Sequence, residues 1–264
     1  MNKIFVGIPV LNRLDLLQAS VASIDVPARV FVVNNNAVDQ KFNDDLTTWA
    51  FAEGIEVRSP RFNLGVAASW NLIIQTAMSW GYEEVFIGSN DTTLVPGTLA
   101  TIRDLDKSDP DSAIWHICGW NYWVIHTRTI GRIGLFDENF YPAYREDQDY
   151  SYRVDKLSTM KRFAIPSATM HPLPILDIPE TLGGHHLGSM TVASDSKYQA
   201  HNQNTHGNWN TSHYKMKWGG MPLFETHKIP YGGKLGKDKD LRWWPDPGGS
   251  IRVRDWDEGK TRLR

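Results

Sequence analysis

Asp91 follows the short apolar run Val85 to Gly88, with Ser89 two residues before it. A carboxylate just past a buried strand can hold a divalent cation. Mg2+ and Mn2+ prefer hard oxygen ligands and complete their shells with water and substrate phosphates. The same placement suits a carboxylate that caps a following helix or closes a turn. Glu146, Asp147 and Asp149 form a second acidic group within one helical turn, flanked by Arg145 and Arg153. Such carboxylates act as a general base or orient one, and they also sit well at a solvated helix N-terminus, facing the helix dipole. Asn63-Leu64-Gly65, with Asn71 beyond it, can open a helix whose free N–H groups meet a phosphate, or can be a polar helix start with no ligand. His171, His185, His186, His201, His206 and His213 crowd one late stretch. No pair has the HExxH spacing of a zinc protease, and cysteine and acidic partners at ligand spacing are missing nearby. A histidine assisting a metal–diphosphate group therefore fits better than a dedicated zinc site.

Several chemistries are excluded. Cys118 is the only cysteine, so no intramolecular disulfide can form. There is no GxxxxGK[ST] phosphate loop, no GxGxxG after the first apolar run and no GxSxG nucleophile elbow. The formal net charge is −2 over 264 residues, which gives neither a global basic field for nucleic acid nor the acidic excess of a disordered chain. The opening MNKIFVGIPVLNR is broken by Pro9 and reads as a first strand rather than a signal sequence. No apolar run approaches the roughly 18 residues of a membrane span. The expectation is a soluble, cytoplasmic protein. The 11 tryptophans are read as core material ahead of sugar-stacking surfaces at any one position.

These residues need elements to position them. Strands are expected over 4–9, 29–33, 55–58 and 84–87, and helices over 14–24, 44–53, 67–80 and 96–105. This alternation predicts an α/β fold with a mostly parallel sheet covered by helices on both sides. Ligands of such sheets bind beyond the carboxyl ends of the strands. Asn12-Arg13, Asn34 to Asp39, Asn63 to Gly65 and Ser89 to Thr92 all fall at those ends. Further on, 113–125 reads as strand or hairpin, 133–144 as turns and 146–157 as a helix. From about Pro172 the chain is rich in Pro, Gly, His and Asn, and from about Gly232 it is basic and rich in Gly and Pro.

Taken in order, these segments resemble a family 2-type glycosyltransferase of GT-A fold. GIPVLNRLDLLQASVASI is similar to the family's opening strand, turn and helix, and VFVVNNNAVD to its Val-Val-Asp-Asn-Gly-Ser-x-Asp. RFNLGVAASWN matches Asn-x-Gly followed by Asn, and VFIGSNDTTLVPGTL resembles the Asp-x-Asp segment with its Pro-Gly. GLFDENFYPAYREDQDYSYR is close to Gly-x-Phe-Asp-Glu-x-Phe and Glu-Asp-x-Asp. HHLGSMT and NWNTSHYKMKWGG look like late segments of some members. Two positions depart from the pattern: Asn34 stands where Asp is usual, and Ser89 replaces the first Asp of the metal motif.

The resemblance implies an inverting transferase. It would move a sugar from a nucleotide-diphosphate sugar, a UDP-sugar first among donors, to an acceptor hydroxyl with Mn2+ or Mg2+. The acceptor would be a glycan, a lipid-linked sugar or a protein. It implies that Asp91 and His186 meet the metal, with His171 as a rival to His186. Asp147 would be the general base, and Glu146 would orient it or touch the acceptor. Pro9, Asn12, Arg13, Asn34, Asp39, Asn63, Gly65, Asn71, Asn90, Lys217 and Trp218 would line the donor site. The expected organisation is a donor-binding half (1–110), a catalytic and acceptor-binding half (111–220) and an irregular C-terminal extension (221–264). Two alternatives stand beside it. One is a phage-type enzyme that glycosylates a modified base in DNA, suggested by the cations and tryptophans of the tail. The other is a non-catalytic sugar- or nucleotide-binding module of the same fold.

Overall fold

In the computed structural model the described residues are 4–233, except 37–38, 106–108, 168–172, 174, 176–177, 189, 195, 197–198 and 201–208. The basic tail and His171 lie outside the described residues. Two compact units are present, and the chain passes between them after residues 63, 72, 127, 159 and 196.

The first unit is built on a seven-stranded sheet of order β3-β2-β1-β4-β7-β6-β8. Its strands are β1 (Ile4–Val10), β2 (Ala28–Asn34), β3 (Glu56–Arg58), β4 (Glu84–Gly88), β6 (Ser112–Cys118), β7 (Tyr122–His126) and β8 (Lys161–Ala164). The pairs β1–β2, β1–β4, β2–β3 and β6–β8 are parallel; only β7 runs against its neighbours. β5 (Thr92–Leu94) and β9 (Gly184–His186) form a separate antiparallel pair. The mostly parallel sheet expected from sequence is thus present. Its central strands are buried on both faces, which is why they read as continuous apolar runs.

On one face Ile4, Val6, Ile8 and Val10 share a core with Leu17, Val32, Phe86 and Val124. On the other, Phe5 meets Phe31, Trp80 and Tyr82. Each such side chain contributes roughly 1.5–3 kcal/mol on burial. Gly7 is required on this second face: a Cβ there would collide with Ile73 of α3 (Gly65–Ser79). The helices α1 (Leu14–Ala22) and α4 (Thr98–Asp104) stand within a few residues of expectation. α2 (Gln40–Ala52) starts earlier than expected, because Asp39 caps it by accepting the Phe42 N–H at 3.0 Å. A four-residue helix, α7 (Met190–Ala193), follows β9.

The second unit contains α6 (Glu146–Leu157), as expected, and α8 (Thr211–Trp218), which no periodicity announced. α5 (Thr127–Ile133), also unannounced, leads into it. Its core joins Phe140, Tyr152, Tyr214 and Trp218, and Phe136 stacks on Tyr150 with ring centres 4.1 Å apart. Among the described residues no helix is long and apolar enough to cross a membrane.

Candidate active site

In the first unit, the carboxyl ends of β1 and β4 carry a polar cluster closed by the segment from β9 to α7. Antiparallel pairing places His186 opposite Thr92, next to Asp91. His186 Nδ1 lies 3.3 Å from Asp91 Oδ1 and 3.2 Å from Thr92 Oγ1. The other Asp91 oxygen accepts the Met190 N–H at 3.1 Å. Asp91 is buried, whereas His186 keeps 23% of its side chain exposed. Burial by itself would raise the Asp91 carboxyl. Hydrogen bonds from His186, Ser89 and the Met190 amide outweigh it and hold the group below its ordinary value, as a carboxylate. Asp91 therefore caps a helix, but it is α7, 99 residues away, and not the helix that follows it in sequence.

Asn12 and Asn90 tie the same cluster together. Asn90 Nδ2 donates to the Asn12 carbonyl at 3.0 Å, and Asn90 Oδ1 accepts from Thr191 Oγ1 at 3.0 Å. Asn12 Nδ2 donates to the Thr191 carbonyl at 3.0 Å, while its buried Oδ1 has no hydrogen-bond partner among the described residues. Arg13, left-handed at φ 59°, pairs with Asp15 at 2.7 Å and reaches Ser194 Oγ at 3.3 Å. Thr191 and Ser194 were not singled out from sequence. Thr191 closes the HHLGSMT segment, whose resemblance marked it, whereas Ser194 lies beyond that segment and carried no signal.

The other first-unit candidates occupy different surroundings. Pro9 is half-buried in β1. Asn34 is fully buried at the end of β2. It donates to Asn43 Oδ1 at 2.9 Å and Ser59 Oγ at 3.2 Å, and accepts the Asn36 N–H at 2.9 Å. Asp39 is the exposed α2 cap. Asn63 is half-buried just before α3.

In the second unit, Glu146 and Asp147 open α6. The two preceding residues, Tyr144 (φ 75°) and Arg145 (φ 80°), are both left-handed without being glycine. Such conformations cost on the order of 1–3 kcal/mol each and persist only where the surroundings enforce them. Glu146 is buried, and its Oε2 has no hydrogen-bond partner among the described residues. Burial first, and then the neighbouring Asp147 charge, push the Glu146 carboxyl well above its ordinary range, toward the protonated form. Asp147 is half-buried, with Oδ1 accepting the Gln148 N–H at 2.8 Å. This turn is not a solvated helix start.

Gly65 begins α3 at φ 75°, where a Cβ would stand 2.7 Å from the Pro142 carbonyl. Asn71 is fully buried. Its amide takes both backbone groups of Phe136, N–H and C=O each at 2.9 Å, and donates to Glu138 at 2.9 Å. Asn71 thereby fixes the GLFDENF loop, whereas the resemblance implied a place for it on the diphosphate side of the donor site. Lys217 and Trp218 have no exposed surface. Lys217 Nζ pairs with Asp137 at 2.7 Å and Asp149 at 2.5 Å, and Trp218 Nε1 donates to Asp149 at 2.8 Å. Expected to fold over a donor, both have their polar atoms engaged inside this unit. Among the described residues no cluster of three histidine, cysteine or acidic side chains is arranged to hold a metal.

The fold and the polar carboxyl edge of its sheet define a GT-A-type α/β protein. No protein-family profile matches the chain. A stretch of 42 residues, 16% of this chain, is 48% identical to a galactofuranosyl glycosyltransferase of Leishmania donovani, and it spans 10% of that protein. Among solved structures, the mannosyltransferase PcManGT of Pyrobaculum calidifontis, in complex with GDP-Man and Mn2+, superposes with a TM-score of 0.51 at 14% identity. That match covers 68% of this chain and 58% of the mannosyltransferase. TarS of S. aureus superposes at 0.46 and 15% identity, over 58% of this chain and 33% of TarS. The likeness to the mannosyltransferase shows that the chain has the GT-A fold anticipated from its motifs.

Proposed function

We propose that the protein is an inverting glycosyltransferase that uses a nucleotide-diphosphate sugar and a divalent cation. The observation that carries this reading is the closed cluster of Asn12, Asn90, Asp91, His186 and Thr191 at the carboxyl edge of a GT-A sheet. Ligands of such sheets bind at that edge. The similarity of one short stretch to a galactofuranosyl glycosyltransferase supports the same class.

The donor set suits Mn2+ or Mg2+. Asp91 would be an ionised oxygen ligand, and His186 Nδ1, 3.3 Å from it, would turn its lone pair to the cation in place of its hydrogen bond to Asp91. These two residues would hold the cation, and water and diphosphate would supply its other oxygen ligands, as is common for such ions. This also accounts for Ser89 in place of the first Asp: its hydroxyl sustains the Asp91 charge instead of ligating. When bound, the cation supplies positive charge against the leaving diphosphate. Asn12, Arg13 and Asn90 border the donor, and Asn12 Oδ1, which has no partner among the described residues, accepts a hydrogen bond from it.

Asp147 accepts the proton of the acceptor hydroxyl as that oxygen bonds to the anomeric carbon. The bond to the nucleotide diphosphate breaks, its electron pair leaves with the phosphate, and the anomeric centre inverts. Glu146, protonated beside Asp147, donates a hydrogen bond to the acceptor or to Asp147.

A melting panel with UDP-galactose, UDP-glucose, GDP-mannose and dTDP-rhamnose, with Mn2+ or EDTA, tests the proposal. At 100 times its Kd a ligand stabilises by about 2.7 kcal/mol, a shift of several degrees for a chain of this size. The expected result is a shift with one donor that needs Mn2+ and disappears in Asp91→Ala. If no nucleotide sugar shifts the melt or is hydrolysed, the reading fails. A shift without hydrolysis or transfer to any acceptor would favour a binding module.

A further inference from the structure

α8 carries polar groups at both ends that act on the same short stretch of chain. At its N-terminus, the Asn210 side-chain amide donates to the carbonyls of Ala143 at 2.8 Å and Tyr144 at 3.1 Å. At its C-terminus, the consecutive Lys217 and Trp218 both bind Asp149 Oδ1, at 2.5 and 2.8 Å. Asp149 stands in the first turn of α6, and its N–H closes that turn on the Arg145 carbonyl at 2.9 Å. The second Asp149 oxygen is taken by Arg153 at 2.9–3.0 Å, and Lys217 also pairs with Asp137, which His213 meets at 3.2 Å. Between the two grips lie the left-handed Tyr144 and Arg145, followed directly by Glu146 and Asp147.

The cluster is buried, and its two cations balance its two carboxylates. A buried charge set of this kind is weak as a source of stability but can fix one arrangement against others. Left-handed non-glycine residues relax unless the surroundings hold them.

We propose that Asn210, Lys217 and Trp218 are positioning residues: α8 clamps the left-handed turn at 144–145 from both sides and thereby sets where Glu146 and Asp147 point. Lys217 acts through Asp149 and touches neither donor nor acceptor. This rests on the reading of Asp147 as the general base.

The test uses Asn210→Ala and Lys217→Met in the full chain, with amide hydrogen exchange measured without ligand. Exchange over 143–150 should rise at least tenfold in each variant, with β1 and β4 unchanged. With the donor that stabilises the wild type in the panel above, kcat should fall at least tenfold while the donor KM stays within twofold. A displacement of about 1 Å at a catalytic group can cost on the order of a hundredfold. If Asp137 without its lysine prevents Lys217→Met from folding, the charge-balanced Lys217→Met/Asp137→Asn protein carries the same measurements. Unchanged exchange over 143–150 in a folded variant overturns the clamp, as does unchanged kcat in the folded fraction. A tenfold rise in donor KM at constant kcat also overturns it, by placing Lys217 on the donor. If the wild type neither binds nor turns over any donor, the functional reading fails, and the exchange data still decide whether α8 holds the turn.

Discussion

Glu146 and Asp147 are neighbours in the chain, yet their surroundings divide them. Glu146 is buried, with one oxygen lacking a partner among the described residues, and is driven toward its protonated form, whereas Asp147 is half-buried with one oxygen on a backbone amide. Sequence supplied the pair of acids; the burial that separates their roles came from the fold. Asp147→Asn keeps the shape and removes the proposed base, so on that reading kcat should fall by about 10²–10⁴, the usual worth of a positioned general base. Initial-rate measurements at saturating donor check this, and full activity in the variant would end the assignment. Away from these acids, His116 makes its own prediction. It is fully buried, with Nδ1 on the Gly119 carbonyl at 3.0 Å and Nε2 on Arg162 at 3.2 Å. Burial first, and then the Arg162 charge, lower its pKa to about 3 from the ordinary 6.5. The folded state therefore holds His116 neutral, while the unfolded chain protonates it near pH 6.5. Its contribution is complete above that pH and drains away as pH falls from 6.5 toward 3. By pH 5 this amounts to about 2 kcal/mol. Urea midpoints should fall in the wild type as pH is lowered from 7 to 5 and stay flatter in His116→Gln, which keeps one donor and one acceptor.

At the scale of elements, the strands were the most legible, because a strand buried on both faces is a continuous apolar run wherever it occurs. β1, β2 and β4 all lie within two residues of expectation at each end. α2 was placed four residues late because its start depends on a single side chain, Asp39, accepting the Phe42 amide. α8 was missed for a physical reason. All four of its buried residues (His213, Tyr214, Lys217 and Trp218) are polar or aromatic, so it has no aliphatic stripe to announce a helix. The packing of α3 on β1 turns on Gly7. Gly7→Ala would drive a methyl group into Ile73, with no opposing space, and should cost about 1–3 kcal/mol. Equilibrium denaturation would show it, and an unchanged midpoint would mean that α3 can retreat from the sheet.

At the scale of the molecule, chain order and spatial grouping diverge. Residues 4–63, 73–127 and 160–196 belong to the first unit, and the intervening stretches to the second. A fragment of residues 1–110 corresponds to the donor-binding half expected from sequence. It lacks β7, which pairs along β4 from Glu84 to Gly88, and it lacks β9 with His186. Such a fragment should show no cooperative melt and no metal-dependent response to nucleotide sugars, as calorimetry and the same melting panel can establish. A cooperative transition in the fragment would show that β1 to β4 suffice as a core.

The sequence alone determined the alternation of strands and helices, the placing of polar residues at the strand ends and the order of motifs that pointed to a GT-A fold. These follow from local composition and spacing, which need no knowledge of distant partners. Only the tertiary structure decided which residues stand together. Asp91 meets His186 and Met190 through the β5–β9 pairing, Asn71 serves the GLFDENF loop, and Lys217 and Trp218 are spent on Asp149. Those outcomes depend on burial and on partners 65 to 99 residues apart. A side chain's type limits what it can bind, but its role is set by what the fold leaves unpaired around it.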